Sequence, residues 1–253
     1  MKKYIFYPLF LFFSLPFFSY GQQNVRTNKL SAVVENILSQ REIFEHSIKK
    51  IYKQIQGDIY GLDYNAFRYA YIGYQNMKIQ NKLNEKRLLS IIDFTKNSNQ
   101  KRFYTIDLEN QLILYHTFVA HGKKTGIETA TYFSDKNDSN KSSLGFYVTG
   151  KTYNGDAGFS LKLHGDERNY NSNAYKRGIV IHTAEYMDES FLKKNGRFGR
   201  SLGCPVLPAS IYKDVIETIK EGTLVFAYYN NKQYLSSSKY LKINNLTESG
   251  LYY

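Results

Sequence analysis

The chain has 253 residues, 42% of them hydrophobic, enough for the core of one ordinary domain with an appendage. Its formal charge of +12 favours an anionic partner, whether nucleic acid, a membrane surface or an acidic envelope polymer, but the charges are scattered along amphipathic segments without a dense Lys/Arg block, as on a solvated surface, and no nucleic-acid partner is expected. A single cysteine, Cys204, excludes an internal disulfide, and no His/Asp/Glu set has metalloprotease spacing, so neither a metal nor another cofactor is expected.

A basic start, Met1-Lys2-Lys3, precedes an apolar run from Tyr4 to Phe18 that is broken by Pro8 and Pro16. Ser19 and Gly21 place small residues ahead of a cut before Gln22, so residues 1–21 read as a secretory signal peptide. The run is short for a spanning helix, which needs roughly 20 apolar residues. The expectation is an exported protein of the periplasm or cell envelope, without a stable membrane span after cleavage.

Residues 22–85 read as a helical N-terminal segment. Leu30, Val33, Val34, Ile37 and Leu38, then Ile43, Phe44, Ile48, Ile51 and Ile55, recur at helical steps until Gly57 and Gly61. A second helix starts near Tyr64 with Asp63 as its cap, and Tyr64, Phe67, Tyr71, Tyr74 and Met77 form its stripe. The texture then changes. Strands are predicted over Leu88–Phe94, Lys101–Leu108, Gln111–Ala120, Ser142–Thr149, Phe159–Leu163 and Gly178–His182, with a tight hairpin at Glu109-Asn110. A helix over Ala209–Glu221, begun by Pro208 and stopped by Gly222, leads to a last strand, Thr223–Tyr229. The sum is a mainly β (α+β) domain over 86–230, followed by a polar tail over 231–253. Tyr153, Tyr170, Tyr175 and Tyr186 fall in or near polar loops, where they can pack or contact a ligand.

The chemistry concentrates between Gly178 and Pro208. His182 ends the β-branched run Ile179-Val180-Ile181, and Cys204 sits between Gly203 and Pro205. A cysteine nucleophile needs a base, oxyanion donors and a backbone that exposes the sulfur. His182 can serve as general base and acid, and the N–H groups of Gly203 and Cys204 can line one concavity. On spacing alone the pair also fits a buried structural cysteine and a satisfied histidine. His164 and His121 end strands; His46 and His116 read as structural or exposed.

The stretch resembles the active-site segment of the L,D-transpeptidase family with the YkuD-type catalytic domain. His182 matches that family's strand-end histidine, and Ser201-Leu202-Gly203-Cys204 matches its cysteine signature. The flanks Phe118-Val119-Ala120-His121-Gly122, Ser142–Tyr147 and Gly196–Pro205 resemble its branch of secreted murein enzymes, and the likeness runs from about Phe67 to Phe226. The chain departs from the pattern at Leu202, where the family has histidine, at Val206, where it has Asn or Arg, and in an 18-residue loop (183–200).

The resemblance implies a β-sandwich or barrel with a helix after the cysteine, preceded by a short helical segment. It implies acyl transfer on peptidoglycan (murein) stem peptides, with Cys204 attacking, His182 shuttling the proton and Thr183 orienting the ring. Arg200, Ser201 and His121 are the expected supporting or substrate-binding residues. A second stem as acceptor gives a 3→3 cross-link, water gives an L,D-carboxypeptidase, and an amine of an envelope protein gives an anchoring enzyme. A non-catalytic envelope-binding module on the same scaffold is the rival class. Sortase-like and papain-like arrangements fit less well, because neither arginine nor histidine follows Cys204.

Overall fold

The computed structural model describes residues 20–243 and residue 246. Two compact units divide the chain, Met1–Gln40 and Arg41–Tyr253. The first has a helical backbone from Tyr20. The signal-peptide reading falls on residues outside those described, apart from the helical backbone at Tyr20 and Gly21.

The second unit holds the core. Helix α1 (Tyr20–Gln54) buries Phe44 and Ile48, four residues apart, and Ile55 is buried just beyond its end. Helix α2 (Tyr64–Ile79) is capped by Asp63, whose carboxylate accepts the Ala66 N–H at 2.9 Å. Arg68 and Glu45 pair between the two helices. Gly73 lets α2 lie flat on the sheet, since a Cβ there would meet the Phe146 ring at 2.1 Å. Among the described residues no helix is long and apolar enough to cross a membrane.

Eight strands follow: β1 (Leu88–Asp93), β2 (Phe103–Asp107), β3 (Leu112–Thr117), β4 (Gly145–Gly155), β5 (Gly158–Gly165), β6 (Val180–Thr183), β7 (Val206–Leu207) and β8 (Leu224–Tyr228). Their order is β3-β2-β1-β8-β4-β5-β6-β7, with β1–β8 and β6–β7 parallel and the other pairs antiparallel. The sheet nearly closes on itself: past β3, the Ala120 N–H donates to Val206 O of β7 at 2.9 Å, joining the two edges. Every residue of β1 and β8 is buried, as expected of central strands covered on both faces. Phe146 and Phe226 stack across β4 and β8 with centroids 4.1 Å apart.

Two short helices flank the loop after β6 and the strand β7. Helix α3 (Glu189–Asn195) ends at Gly196 in the left-handed region, and α4 (Tyr212–Ile219) buries Val215, Ile216 and Ile219. The segment read as a polar tail contains α5 (Lys232–Ser237) and contributes to the core, with Tyr234 and Tyr240 fully buried. Tyrosine joins a large apolar body to a polar tip, so a Tyr-rich stretch looks polar and still packs. Buried Glu167 ties this segment down: it accepts the Phe146 N–H at 2.8 Å, the Tyr234 hydroxyl at 3.0 Å and the Ser238 hydroxyl.

Candidate active site

Strand β6 carries the site because its two edges have different neighbours. On one side Leu161 and Lys162 of β5 pair with Ile181 and Val180. On the other, β7 runs parallel, with His182 opposite Val206 and Thr183 opposite Leu207. Cys204, two residues before Val206, therefore comes alongside Val180. Its thiol donates to Gly178 O at 3.6 Å, and the Val180 N–H bears on the sulfur. His182 lies two residues further along β6, roughly 7 Å at the usual strand rise.

The His182 ring is fixed by its neighbour. Nδ1 lies 2.7 Å from Thr183 O, and a carbonyl can only accept, so the hydrogen is on Nδ1. In the neutral ring Nε2 then carries the lone pair, and among the described residues it has no hydrogen-bond partner. Burial lowers the imidazole pKa, and the bond to Thr183 partly offsets this. The Thr183 hydroxyl donates to Leu207 O at 2.9 Å, which locks the end of β6 to β7.

Burial pushes the Cys204 thiol up, while the Val180 N–H and the positive charge of Arg177 pull it down. Raised thiol and lowered imidazole together favour a neutral resting pair over a thiolate–imidazolium pair. Tyr186, in the loop after β6, feels the same sulfur: burial and the nearby Cys204 charge push its phenol up to about 12.

The turn into the cysteine is held by hydroxyls. Ser201 is buried; its Oγ donates to Cys204 O at 2.6 Å and accepts the Gly203 N–H at 3.0 Å. The Gly203 N–H, expected as an oxyanion donor, is thus engaged, whereas the Cys204 N–H has no partner among the described residues. Gly203 O accepts the Ser142 hydroxyl at 3.1 Å. Gly203 has φ +138°, and a Cβ there would lie 2.9 Å from Lys141 O and 3.2 Å from Arg177 Nη2. The position is closed to side chains both by conformation and by close approach.

Arg177 forms the floor under that turn. Its buried guanidinium donates to Ser134 O (2.9 Å), Ser143 Oγ (2.6 Å), Lys141 O (2.7 Å) and Ser139 Oγ (3.2 Å), with Asp135 at 4.0 Å. Sequence reasoning missed Arg177 and Asp135. They are 42 positions apart in polar loops, and nothing local marks either as buried.

His121 and Arg200 stand behind the site. His121 is fully buried and does not line a cleft; its Nδ1 accepts from Arg102 Nη2 at 2.8 Å, and Nε2 faces Gly126 O at 3.3 Å. Its backbone carbonyl accepts the Ser201 N–H at 3.0 Å, so it supports the cysteine loop from the interior. Arg200 Nη1 donates to Lys123 O and Gly126 O, both at 2.9 Å, and has no carboxylate partner among the described residues. Leu202, 64% exposed, puts an apolar side chain at the rim.

A thiol just ahead of β7 and an imidazole on β6, with a free ring nitrogen and an unengaged N–H at the sulfur-bearing residue, are groups that a cysteine acyl transfer requires. The chain belongs to the L,D-transpeptidase catalytic domain family, whose model matches residues 58–228. Among solved structures it is similar to the L,D-transpeptidase from Mycobacterium smegmatis, at 10% identity and TM-score 0.37 over 56% of this chain and 59% of that one. It is similar to L,D-transpeptidase 1 of Mycobacterium tuberculosis, at 10% identity and TM-score 0.33 over 56% and 62%. The L,D-transpeptidase of Stackebrandtia nassauensis shares 15% identity at TM-score 0.35 over 73% and 77%. The matched part spans about 59% of the length of the first of these. A search of the curated proteins gave no match.

Proposed function

We propose that the protein is a peptidoglycan L,D-transpeptidase that works through a thioester on Cys204. The single observation that carries this reading is the bond from His182 Nδ1 to Thr183 O, which leaves Nε2 free on the strand running beside the cysteine. Nε2 takes the thiol proton as Sγ attacks the carbonyl of the third stem residue, at its L-centre. The Cys204 N–H faces the developing oxyanion, and the neutral resting pair becomes charged only as the attack proceeds. Collapse of the tetrahedral adduct breaks the amide, and His182 gives its proton to the departing D-alanine amine.

The side-chain amine of a second stem then attacks the thioester. His182 removes the proton of that amine and returns it to sulfur as the C–S bond breaks, leaving a 3→3 cross-link and a free thiol. Thr183 orients the ring, Ser201 shapes the turn, and Arg200 and His121 hold the loop behind it. The substrate places the reaction in the cell envelope.

Mass spectrometry of tetrapeptide-stem muropeptides incubated with the protein tests this, beside Cys204→Ala and His182→Ala. The expected result is a 3→3 dimer with released D-alanine, lost in both variants. A tripeptide without dimer would reassign the protein as an L,D-carboxypeptidase. Neither product from folded wild-type protein would overturn the assignment.

A further inference from the structure

The sheet face next to the cysteine carries a cluster that the acyl-transfer steps leave unused. On β5, Lys162 pairs with Val180, the residue whose N–H bears on Cys204 Sγ. Lys162 is thus two strand spacings from the nucleophile, about 10 Å. Paired residues on adjacent strands project to the same face. Lys162 Nζ lies over two tyrosine rings, 5.3 Å from the Tyr153 centroid and 5.6 Å from the Tyr175 centroid. His164, two residues along β5, stacks on Tyr175 with centroids 4.9 Å apart and planes 16° apart.

The local backbone makes room for this arrangement. Between Thr149 and Thr152, β4 bulges opposite Lys162, a device that re-aims side chains. Two glycines leave the space. A Cβ on Gly150 would lie 2.6 Å from His164 Nε2, and one on Gly155 would lie 2.6 Å from the Tyr153 ring. Yet the rings are not core: Tyr153 is 38% and Tyr175 57% exposed. Among the described residues no carboxylate pairs with Lys162.

We infer that Tyr153, Lys162, His164 and Tyr175 form a substrate platform that binds a carboxylate-bearing stretch of the stem peptide beside Cys204. The inference rests on the proposed transpeptidase reading for the identity of its ligand. Lys162 is half-buried against two exposed rings and has no anionic partner among the described residues, which suits a carboxylate. The ring faces suit the flat peptide units on either side of that carboxylate. The register supplies the direction, because a peptide lying across β5 toward β6 leads to the sulfur.

The test separates binding from turnover. Calorimetry on the unreactive Cys204→Ala protein, with and without Lys162→Met, reads affinity for two synthetic tetrapeptide stems. One keeps its acidic second residue; the other has that carboxylate converted to an amide. Lys162→Met is expected to weaken the acidic stem about tenfold and leave the amidated stem within twofold, and Tyr175→Ala to weaken both. Equal binding of the acidic stem with and without Lys162, or equal weakening of both stems, would overturn the platform. Lys162-dependent binding by the Cys204→Ala protein, beside a wild type that forms no product, would sustain the platform and sink the reaction assignment. Cross-linking by the wild type that is unchanged in kcat and KM by Lys162→Met would sink the platform alone.

Discussion

His182 hands its Nδ1–H to the carbonyl oxygen of Thr183, its own chain neighbour, across 2.7 Å. The acceptor is a backbone atom in a strand that β7 locks in place, so no side chain has to be recruited to set the tautomer. In the role proposed for His182 an imidazole is oriented by a partner on its second ring nitrogen, and the main chain supplies that partner.

The pH dependence follows from the two shifted groups. His182 is lowered from its ordinary value of 6.5 and Cys204 raised from 9.0, both chiefly by burial. In the free protein the imidazole is therefore more than half neutral at pH 6.5, and the thiol is mostly protonated at pH 7. Alkylation of the resting thiol by iodoacetamide should therefore keep rising with pH past 9. Under the proposed mechanism, turnover needs neutral His182 and should fall on the acid side with a midpoint below 6.5. An alkylation rate already on its plateau at pH 7 would show a thiolate–imidazolium pair and contradict this assignment.

Arg177 should prove to be a positioning residue with an electrostatic share. It holds Lys141 O and Ser143 under Gly203 and also lowers the thiol pKa by its charge. Arg177→Met removes both effects, while Arg177→Lys keeps the charge without the planar fork. The methionine variant should move the alkylation profile toward higher pH and slow the reaction near neutrality. The lysine variant should restore most of that shift but not the melting temperature. If both variants shifted the profile equally, the charge would have no part in it.

Ser201 and Gly203 separate shape from chemistry. Ser201→Ala frees the Gly203 N–H and leaves Cys204 O without its donor, a loss of about 1–3 kcal/mol for buried groups. Gly203→Ala adds a Cβ against Lys141 O and forces φ +138° on a residue that resists it, at a further cost of about 1–3 kcal/mol. Thermal unfolding should rank wild type above both variants, with turnover falling more steeply than stability in Gly203→Ala. A Gly203→Ala protein with wild-type turnover would mean that the turn geometry does not position the thiol.

The pattern of what could be read from the sequence has physical causes. The hairpin at Glu109-Asn110 was legible because its turn chemistry is local, and Asp107 accepts both N–H groups there at 2.9 Å. Strands β1 and β8 and helix α4 were legible from apolar runs and periodicity. Helix α3 was not, because it buries no residue and so leaves no stripe. Strand β4 runs past Thr149 to Gly155 through Lys151-Thr152-Tyr153-Asn154, polar residues on a bulged, exposed hairpin. At the site, His182 and Cys204 stood out because their chemistry is rare and their flanks unusual. The Gly203 N–H looked free, since only the folded turn brings Ser201 Oγ to it. Arg177 was missed, and the full burial of His121 was not legible, because burial of a polar side chain depends on contacts distant in sequence.

The buried pair behind the site makes stability depend on pH on the acid side. His121 accepts from Arg102, which also donates to Val119 O at 2.8 and 3.1 Å and to Lys96 O at 2.9 Å. Burial first, and then the Arg102 charge, lower the His121 pKa from 6.5 to about 4. Between those values the unfolded chain binds a proton that the folded chain refuses, so stability falls as pH drops from 6.5 toward 4. The span corresponds to roughly 3 kcal/mol, an upper figure for one fully buried imidazole. His121→Ala should abolish this part of the pH dependence, and it should destabilise the protein at pH 7.5 by about 3 kcal/mol because Arg102 loses a buried partner. Denaturant unfolding of wild type and variant at pH 7.5, 6 and 5 checks both. A wild-type stability that is flat from pH 7.5 to 5 would show that His121 takes up its proton in the folded state, contrary to the acceptor role its Nδ1 plays toward Arg102.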